Sequence, residues 1–254
     1  MILSAKAFLI VCPLLFLAGF VDSIAGGGGL ISLPAFLLAG LPAHAAIATN
    51  KLSSACGTTL TTARFIKNRL IDARLALPGI AAAIVGSTIG ARLSLMVDEA
   101  VVRVALLFVL PVAAFVVLNR RLFPERENDG YVFTRKGLVA CTLAAFVIGG
   151  YDGFYGPGAG TFLIIAFMLL DKKMSVGRAN AQAKAVNLTS NLTALAVFAL
   201  NGQVVVLLGL AGAACSMLGN YVGSGMAMEK GTRITRPIIL VVLALLFVRI
   251  ILGG

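Results

Sequence analysis

Two lysines, Lys51 and Lys184, stand where a lysine needs a chemical reason. Each lies about nine residues into a long apolar segment, ~13 Å deep at the rise of a helix, where the side chain cannot easily snorkel back to water. A buried ammonium needs a carboxylate or an anion beside it. Polar clusters surround both lysines: "ATNKLSSACGTTLTT" from Ala48 and "NAQAKAVNLTSN" from Asn180. Their hydrogen-bonding side chains include Asn50, Ser53, Ser54, Thr58, Asn187, Thr189, Ser190 and Asn191. At helical spacing, Lys51, Ser54 and Thr58 share one face, as do Lys184, Asn187 and Asn191. Two readings stay open: the lysines bind or gate an anion, or they form structural ion pairs with Asp22 and Asp152.

Those aspartates stand just ahead of glycine-rich breaks, "DSIAGGGG" at 22–29 and "DGFYGPGAG" at 152–160. A carboxylate inside an apolar segment is expensive. It marks a proton carrier, a cation ligand or a structural acceptor for loop amides and a lysine. A broken helix is tolerated in hydrocarbon only where protein or a water-filled cavity satisfies the freed backbone groups. Such breaks can aim half-helix N-termini, with their partial positive charge, at an anion. Gly26, Gly27, Gly28, Gly29, Gly156 and Gly158 are therefore candidate anion-site positions, with close packing or tight turns as the plainer explanation.

The elements that would position these groups are membrane helices. The chain of 254 residues is 59% hydrophobic and 12% charged, with a mean hydropathy of +1.01. This composition excludes an ordinary soluble protein. Against the ~20 residues a spanning helix needs, apolar stretches run at about 5–22, 43–66, 74–96, 100–119, 136–155, 175–200, 203–227 and 234–253. Two shorter stretches, 28–40 and 159–171, follow the glycine motifs. At ~20 Å they are too short for a ~30 Å hydrocarbon core and read as half-helices.

An internal repeat links these features. Gly19, Asp22, Gly26 and Gly28 recur 130 residues later as Gly149, Asp152, Gly156 and Gly158. From Lys51 the offset is 133: Lys51 matches Lys184, Asn68 matches Asn201, Gly86 matches Gly219 and Gly90 matches Gly223. The chain reads as a duplicated five-segment unit. Lys6, the apolar stretch after it and Ser23-Ile24-Ala25 also resemble a signal peptide with its cleavage site. Recurrence of the same chemistry in mid-chain argues that the first motif is retained.

Five segments per unit make the two repeats inverted. Basic residues collect on cytoplasmic loops, and here they fall on one face under alternating topology: Arg64, Lys67, Arg69 and Arg74; Arg120, Arg121, Arg126, Arg135 and Lys136; Lys172, Lys173 and Arg178; Lys230, Arg233 and Arg236. Both termini are then expected outside the cytoplasm. The expected division is a first transmembrane repeat at 1–118, a cytoplasmic linker at 119–135 and a second repeat at 136–254. Within the linker, "NRRLFPEREND" carries proline, charge and turn residues. Gly86-x-x-x-Gly90 and Gly219-x-x-x-Gly223 have the spacing of close helix contacts.

Other chemistry is poorly supplied. The net charge of +11 lies in loop clusters that orient the protein in a bilayer, so no nucleic-acid partner is expected. Cys12, Cys56, Cys141 and Cys215 lie in apolar runs without paired spacing, and His44 is the only histidine. Neither a metal site nor a cofactor is expected. A phosphate-binding glycine loop ending in Lys-Ser or Lys-Thr is absent, which removes a self-contained ATP-driven pump. No nucleophile and base constellation suggests an enzyme.

The paired motifs, "GFVDSIAGGGGLISLP" with "ATNKLSSACGTT" and "GGYDGFYGPGAGTFL" with "AQAKAVNLTSN", resemble the sulfite exporter TauE/SafE family, also called the toluene sulfonate uptake permease family. The resemblance covers nearly the whole chain. It implies a bacterial inner-membrane transporter and substrates among sulfur-containing anions such as sulfite and organosulfonates. By position it brings Asp22, the glycines at 26–29, Asn50 and Lys51 into one motif. Asp152, Gly156, Gly158, Lys184, Asn187 and Asn191 form the other.

The resulting expectation is an all-α polytopic membrane protein, two inverted five-segment repeats with short broken helices. It would act as a secondary transporter, in the exporting direction, of a small sulfur-containing anion in the lipid bilayer, with a homodimer as an allowed assembly. Substrate-site candidates are Gly26, Gly27, Gly28, Gly29, Asn50, Lys51, Ser54, Gly156, Gly158, Lys184, Asn187 and Asn191. Asp22 and Asp152 couple or brace. The alternative is a cation channel or cation transporter that uses Asp22 and Asp152 as ligands.

Overall fold

A computed structural model describes residues 5–98, 101, 134–171 and 174–230. Among these residues the chain forms eight helices and no strand: α1 (Ala5–Ala25), α2 (Gly29–Leu38), α3 (Ala43–Lys67), α4 (Ala73–Met96), α5 (Arg135–Phe154), α6 (Ala159–Leu170), α7 (Val176–Leu200) and α8 (Val206–Lys230). The expected segment at 234–253 and, apart from Val101, the one at 100–119 lie outside the described residues. So does the linker, apart from Thr134, whose side chain caps α5 by accepting from the Gly137 amide, and Arg135, which begins that helix.

Five helices, α1, α4, α5, α7 and α8, are long and apolar enough to cross a membrane. α3 is as long as α7, at 25 residues, but the polar cluster around Lys51 lowers its hydropathy. α2 and α6 have only 10 and 12 residues, so at the rise of a helix they reach ~15 and ~18 Å. Leu77, Ile84, Val85, Leu93, Val139, Leu143, Val147, Leu207, Leu210 and Leu218 are exposed. An apolar outer surface is what lipid requires and water would penalise. The protein is an all-helical, multi-pass membrane protein.

The core positions follow from small residues. α1 packs along α8, and α4 along α5. A Cβ added at Gly86 would collide with the carbonyl of Phe146, and at Gly90 with that of Gly150. One added at Gly219 would collide with the carbonyl of Phe16, and at Gly223 with that of Phe20. The glycine pairs thus bring backbones together, as their spacing predicts. The two contacts also correspond: Phe16 and Phe146 are repeat equivalents, as are Gly86 and Gly219, and each glycine pair packs against the other half of the chain.

Candidate functional site

Both breaks are built by glycines that no other residue could replace cheaply. α1 ends at Ala25 and Gly26 follows with φ +76°, a left-handed conformation that costs an ordinary residue energy. Gly156 and Gly158 take φ +105° and +79° between α5 and α6. The two breaks also touch. A Cβ on Gly26 would strike the backbone of Gly160 and Thr161, and one on Gly29 would press on Pro157. Thr161 Oγ1 donates to the Ala25 carbonyl at 2.8 Å, and Asn180 Nδ2 donates to the carbonyls of Ser23 and Ile24 at 3.1 and 3.2 Å. These bonds satisfy carbonyls at the end of α1 that the helix itself leaves open.

Asp22 sits in the last turn of α1 and Asp152 in the last turn of α5, so each break aims a carboxylate inward. Long helices α3 and α7 carry the lysines past them. Lys51 Nζ lies 2.7 Å from Asp152 Oδ1, and Lys184 Nζ lies 2.6 Å from Asp22 Oδ2. Each lysine therefore pairs with the aspartate of the other half. The side chains are 1% and 2% exposed in the first pair and 1% and 14% in the second. Two compensated pairs leave the region with no net charge among these four groups, which is how low-polarity surroundings tolerate four ions.

The partners of the two carboxylates differ. Asp152 also accepts from Asn187 Nδ2 at 3.3 Å and from Ser190 Oγ, both on Oδ2. Asp22 accepts a second bond on the same oxygen that meets the lysine, from Thr58 Oγ1 at 3.3 Å.

Beside these pairs is a narrow cavity of about 20 Å³. Asp22, Gly26, Gly29, Asn50, Lys51, Ser54, Asp152, Gly156, Asn187 and Asn191 line it, all singled out by the sequence, together with Gly160, which was not. Gly28 instead borders a second, smaller cavity of about 10 Å³ with Asp22, Ser32, Ser54 and Ser216. Lys184 borders neither and touches the site only by its contact with Asp22. Gly27 and Gly158 border neither. The backbone amides of Gly27, Gly28, Gly156 and Gly158 meet no carbonyl acceptor among the described residues; of these residues Gly156 lines the first cavity and Gly28 the second.

Some sequence candidates play local roles. Ser54 Oγ donates to Asn50 Oδ1 at 3.3 Å, and Asn191 Nδ2 to the Asn187 carbonyl at 2.8 Å. Ser53 ties α3 to the Gly209 carbonyl at 3.0 Å. His44 lies in the first turn of α3, its Nε2 2.9 Å from the Ser94 carbonyl. All four cysteines are free thiols. Among the described residues no group of three or more His, Cys, Asp and Glu side chains could hold a metal. The sequence did not single out Gly160 or Thr161, nor the bonds Asn180 makes to the end of α1. For Asn180 the available signal was its place at the head of the polar cluster around Lys184.

Comparison with known proteins agrees with this architecture. The family described as "Sulfite exporter TauE/SafE" matches residues 11–250. The chain is 36% identical over 237 residues to the "Probable membrane transporter protein YfcA" of Escherichia coli strain K12, covering 92% of this chain and 86% of that one. It is 34% identical over 227 residues to a "Probable membrane transporter protein" of Haemophilus influenzae, covering 89% and 87%. The "Probable membrane transporter protein ORF9" of a Sinorhizobium species is 35% identical over 249 residues, covering 96% and 92%. No solved structure matches the chain.

Proposed function

The chain belongs to the sulfite exporter TauE/SafE family of membrane transporters, and from that premise we propose that it is a secondary transporter of a small sulfur-containing anion, sulfite or an organosulfonate. The observation that carries the reading is the meeting of two broken helices at one polar cavity. The open Gly156 amide, the asparagine side chains Asn50, Asn187 and Asn191 and the Lys51 ammonium line it, and Lys184 lies behind Asp22. Amide donors and the positive ends of short helices suit an anion. A cation would have to displace an ammonium from each aspartate, so the alternative of a cation channel has less support from the same geometry.

In this reading the protein resides in the bacterial inner membrane. The halves at 1–118 and 136–254 are inverted repeats joined by a cytoplasmic linker at 119–135, and both ends of the chain face outward. The basic loops supply the orientation. The crossed contacts between α1 and α8 and between α4 and α5 are those expected of two related halves. Movement of the halves against each other would open the cavity to either side in turn, and the role is transport rather than catalysis. Export is the direction proposed.

Purified protein in proteoliposomes tests this. Saturable flux of sulfite, sulfoacetate or thiosulfate, exceeding that of chloride, is the expected result. Flux of cations alone, abolished by exchanging both aspartates for asparagine, would transfer the function to the cation reading.

A further inference from the structure

The two ion pairs descend from one duplicated pattern, yet their surroundings have diverged. At the 133-residue offset, Ser190 corresponds to Gly57 and Asn187 to Ser54. Ser190 and Asn187 both donate to Asp152 Oδ2 while Lys51 holds Oδ1. Both carboxylate oxygens of Asp152 are thereby occupied. In the other half Gly57 has no side chain to donate, and Ser54 turns to Asn50. A larger residue could not easily restore the missing donor, because a Cβ at Gly57 would collide with the side chains of Asn220 and Ser216. Asp22 thus receives Lys184 and Thr58 on Oδ2 alone, and among the described residues its Oδ1 has no donor.

That open oxygen belongs to a residue at a junction. Asp22 and Ser54 are the two residues that border both cavities, and the Asp22 side chain is 14% exposed against 2% for Asp152. The groups that act on Asp22 are few. α7 presents Lys184, α3 presents Thr58 and Lys51, and α5 presents Asp152. α2 and α6 contain no ionisable side chain. α8 contributes Ser216 to the second cavity, while its Tyr221 ring lies under Arg64 instead. Gly28 leaves the aspartate no slack, since a Cβ there would press on the Asp22 Cβ.

We propose that the two pairs have parted in role: Asp22 carries the coupling proton, exchanging Lys184 for it, while Lys51–Asp152 remains closed as a fixed brace. The inference rests on the anion-transport reading above. An anion entering the cavity meets carboxylates that repel it and lysines that are already compensated. A proton arriving from the aqueous side on Asp22 Oδ1 converts the carboxylate to a neutral acid. Lys184, still an ammonium, loses its counter-charge, and the anion supplies the replacement. Departure of the anion on the far side restores the ion pair as Asp22 returns its proton there. One proton then accompanies one anionic charge in the same direction, so export runs down the outward gradient of the anion and against an inward proton gradient, and no bond of the substrate changes. Asp152, with three donors on two oxygens, lacks an open oxygen for the same exchange.

Sulfite-loaded proteoliposomes separate these roles through two readouts: accumulation driven by a proton gradient, and exchange of internal for external sulfite at equal concentrations without one. Wild-type protein is expected to show both, with proton movement reported by an internal pH dye. Asp22→Asn mimics the protonated acid. It is expected to lose accumulation and proton movement while exchange persists at a reduced rate. Persistence of proton-driven accumulation in Asp22→Asn overturns the proposal, as does loss of exchange in folded protein. If Asp22→Asn does not fold, Asp22→Glu decides: a displaced pH profile of accumulation supports the assignment, and an unchanged profile overturns it. A folded Asp152→Asn that loses coupling while keeping exchange would reverse the roles and also overturn it. Wild-type sulfite flux indifferent to the proton gradient refutes the coupling alone, whereas no flux of any sulfur anion refutes the transport reading beneath it.

Discussion

Lys51 Nζ and Asp152 Oδ1 lie 2.7 Å apart although 101 residues separate them in the chain. The bond joins the long helix of the first half to the broken helix of the second, and Lys184–Asp22 makes the reciprocal bond over 162 residues. Each half pairs its lysine with the aspartate of the other. The ion pairs make the fold and the site a single problem, because any substrate that uses a lysine must contend with a carboxylate already in place.

Removing one member of the closed pair should therefore hurt more than removing both. Lys51→Met leaves Asp152 charged and buried, and loss of one partner in a buried pair costs about 3–5 kcal/mol. Lys51→Met with Asp152→Asn should recover a large part of that loss. Thermal unfolding in detergent, followed by a thiol-reactive fluorogenic dye that labels the free cysteines or by light scattering, measures it, and a double variant as unstable as the single one would contradict the pairing.

Close helix contacts give a paired prediction. Gly86→Leu and Gly219→Leu each force a side chain into a facing backbone carbonyl. Overpacking of this kind costs about 1–3 kcal/mol or more where backbone must move. The positions are equivalent in the two halves, so the two losses should be similar. Exposed Leu77 and Leu218, changed to alanine, should leave the melting temperature within the error of the wild type.

Asn180 tests how the broken end of α1 is held. Its amide serves two carbonyls at once, and an unsatisfied buried acceptor costs about 1–3 kcal/mol. Asn180→Leu should lower stability by about that amount. Hydrogen exchange around Gly26–Gly29 should quicken relative to α4; uniform protection across both would argue that Thr161 alone suffices.

Gly26 is constrained twice, by φ +76° and by the backbone of Gly160. Gly26→Ala should abolish folded protein in membranes or cost more than about 1 kcal/mol. Gly40, also at positive φ but with open space around it, should bear the same change with only the conformational cost. Expression and unfolding of the two variants side by side measure the difference.

Much of this arrangement was legible before any coordinates. Repetition of Asp, glycines and Lys at fixed offsets located both breaks, and stretches too short to span marked α2 and α6. The Gly-x-x-x-Gly spacing announced the contacts that the helices make. Lys51 and Lys184 could be recognised as buried from their depth in apolar segments. What local sequence could not supply was the crossing. Nothing near Lys51 favours Asp152 over Asp22, because pairing across halves is decided by how helices distant in sequence pack. The divergence of Gly57 from Ser190 was likewise visible as letters. It acquired meaning only when Ser190 proved to hold Asp152. Asn180 shows a third limit, since an asparagine capping another helix resembles one that merely packs.

The most direct test of the central claim removes the second pair without leaving a charge behind. Lys184→Met with Asp22→Asn keeps the bulk of both side chains and the neutrality of the site, so the protein should fold. Initial rates of sulfite uptake into proteoliposomes, measured over a concentration series, should then fall by at least about tenfold, the loss expected when a lysine charge that attracts the anion by at least about 1.4 kcal/mol disappears. Saturable uptake at the wild-type rate by the folded variant would contradict the account and leave Lys184 and Asp22 as structural partners.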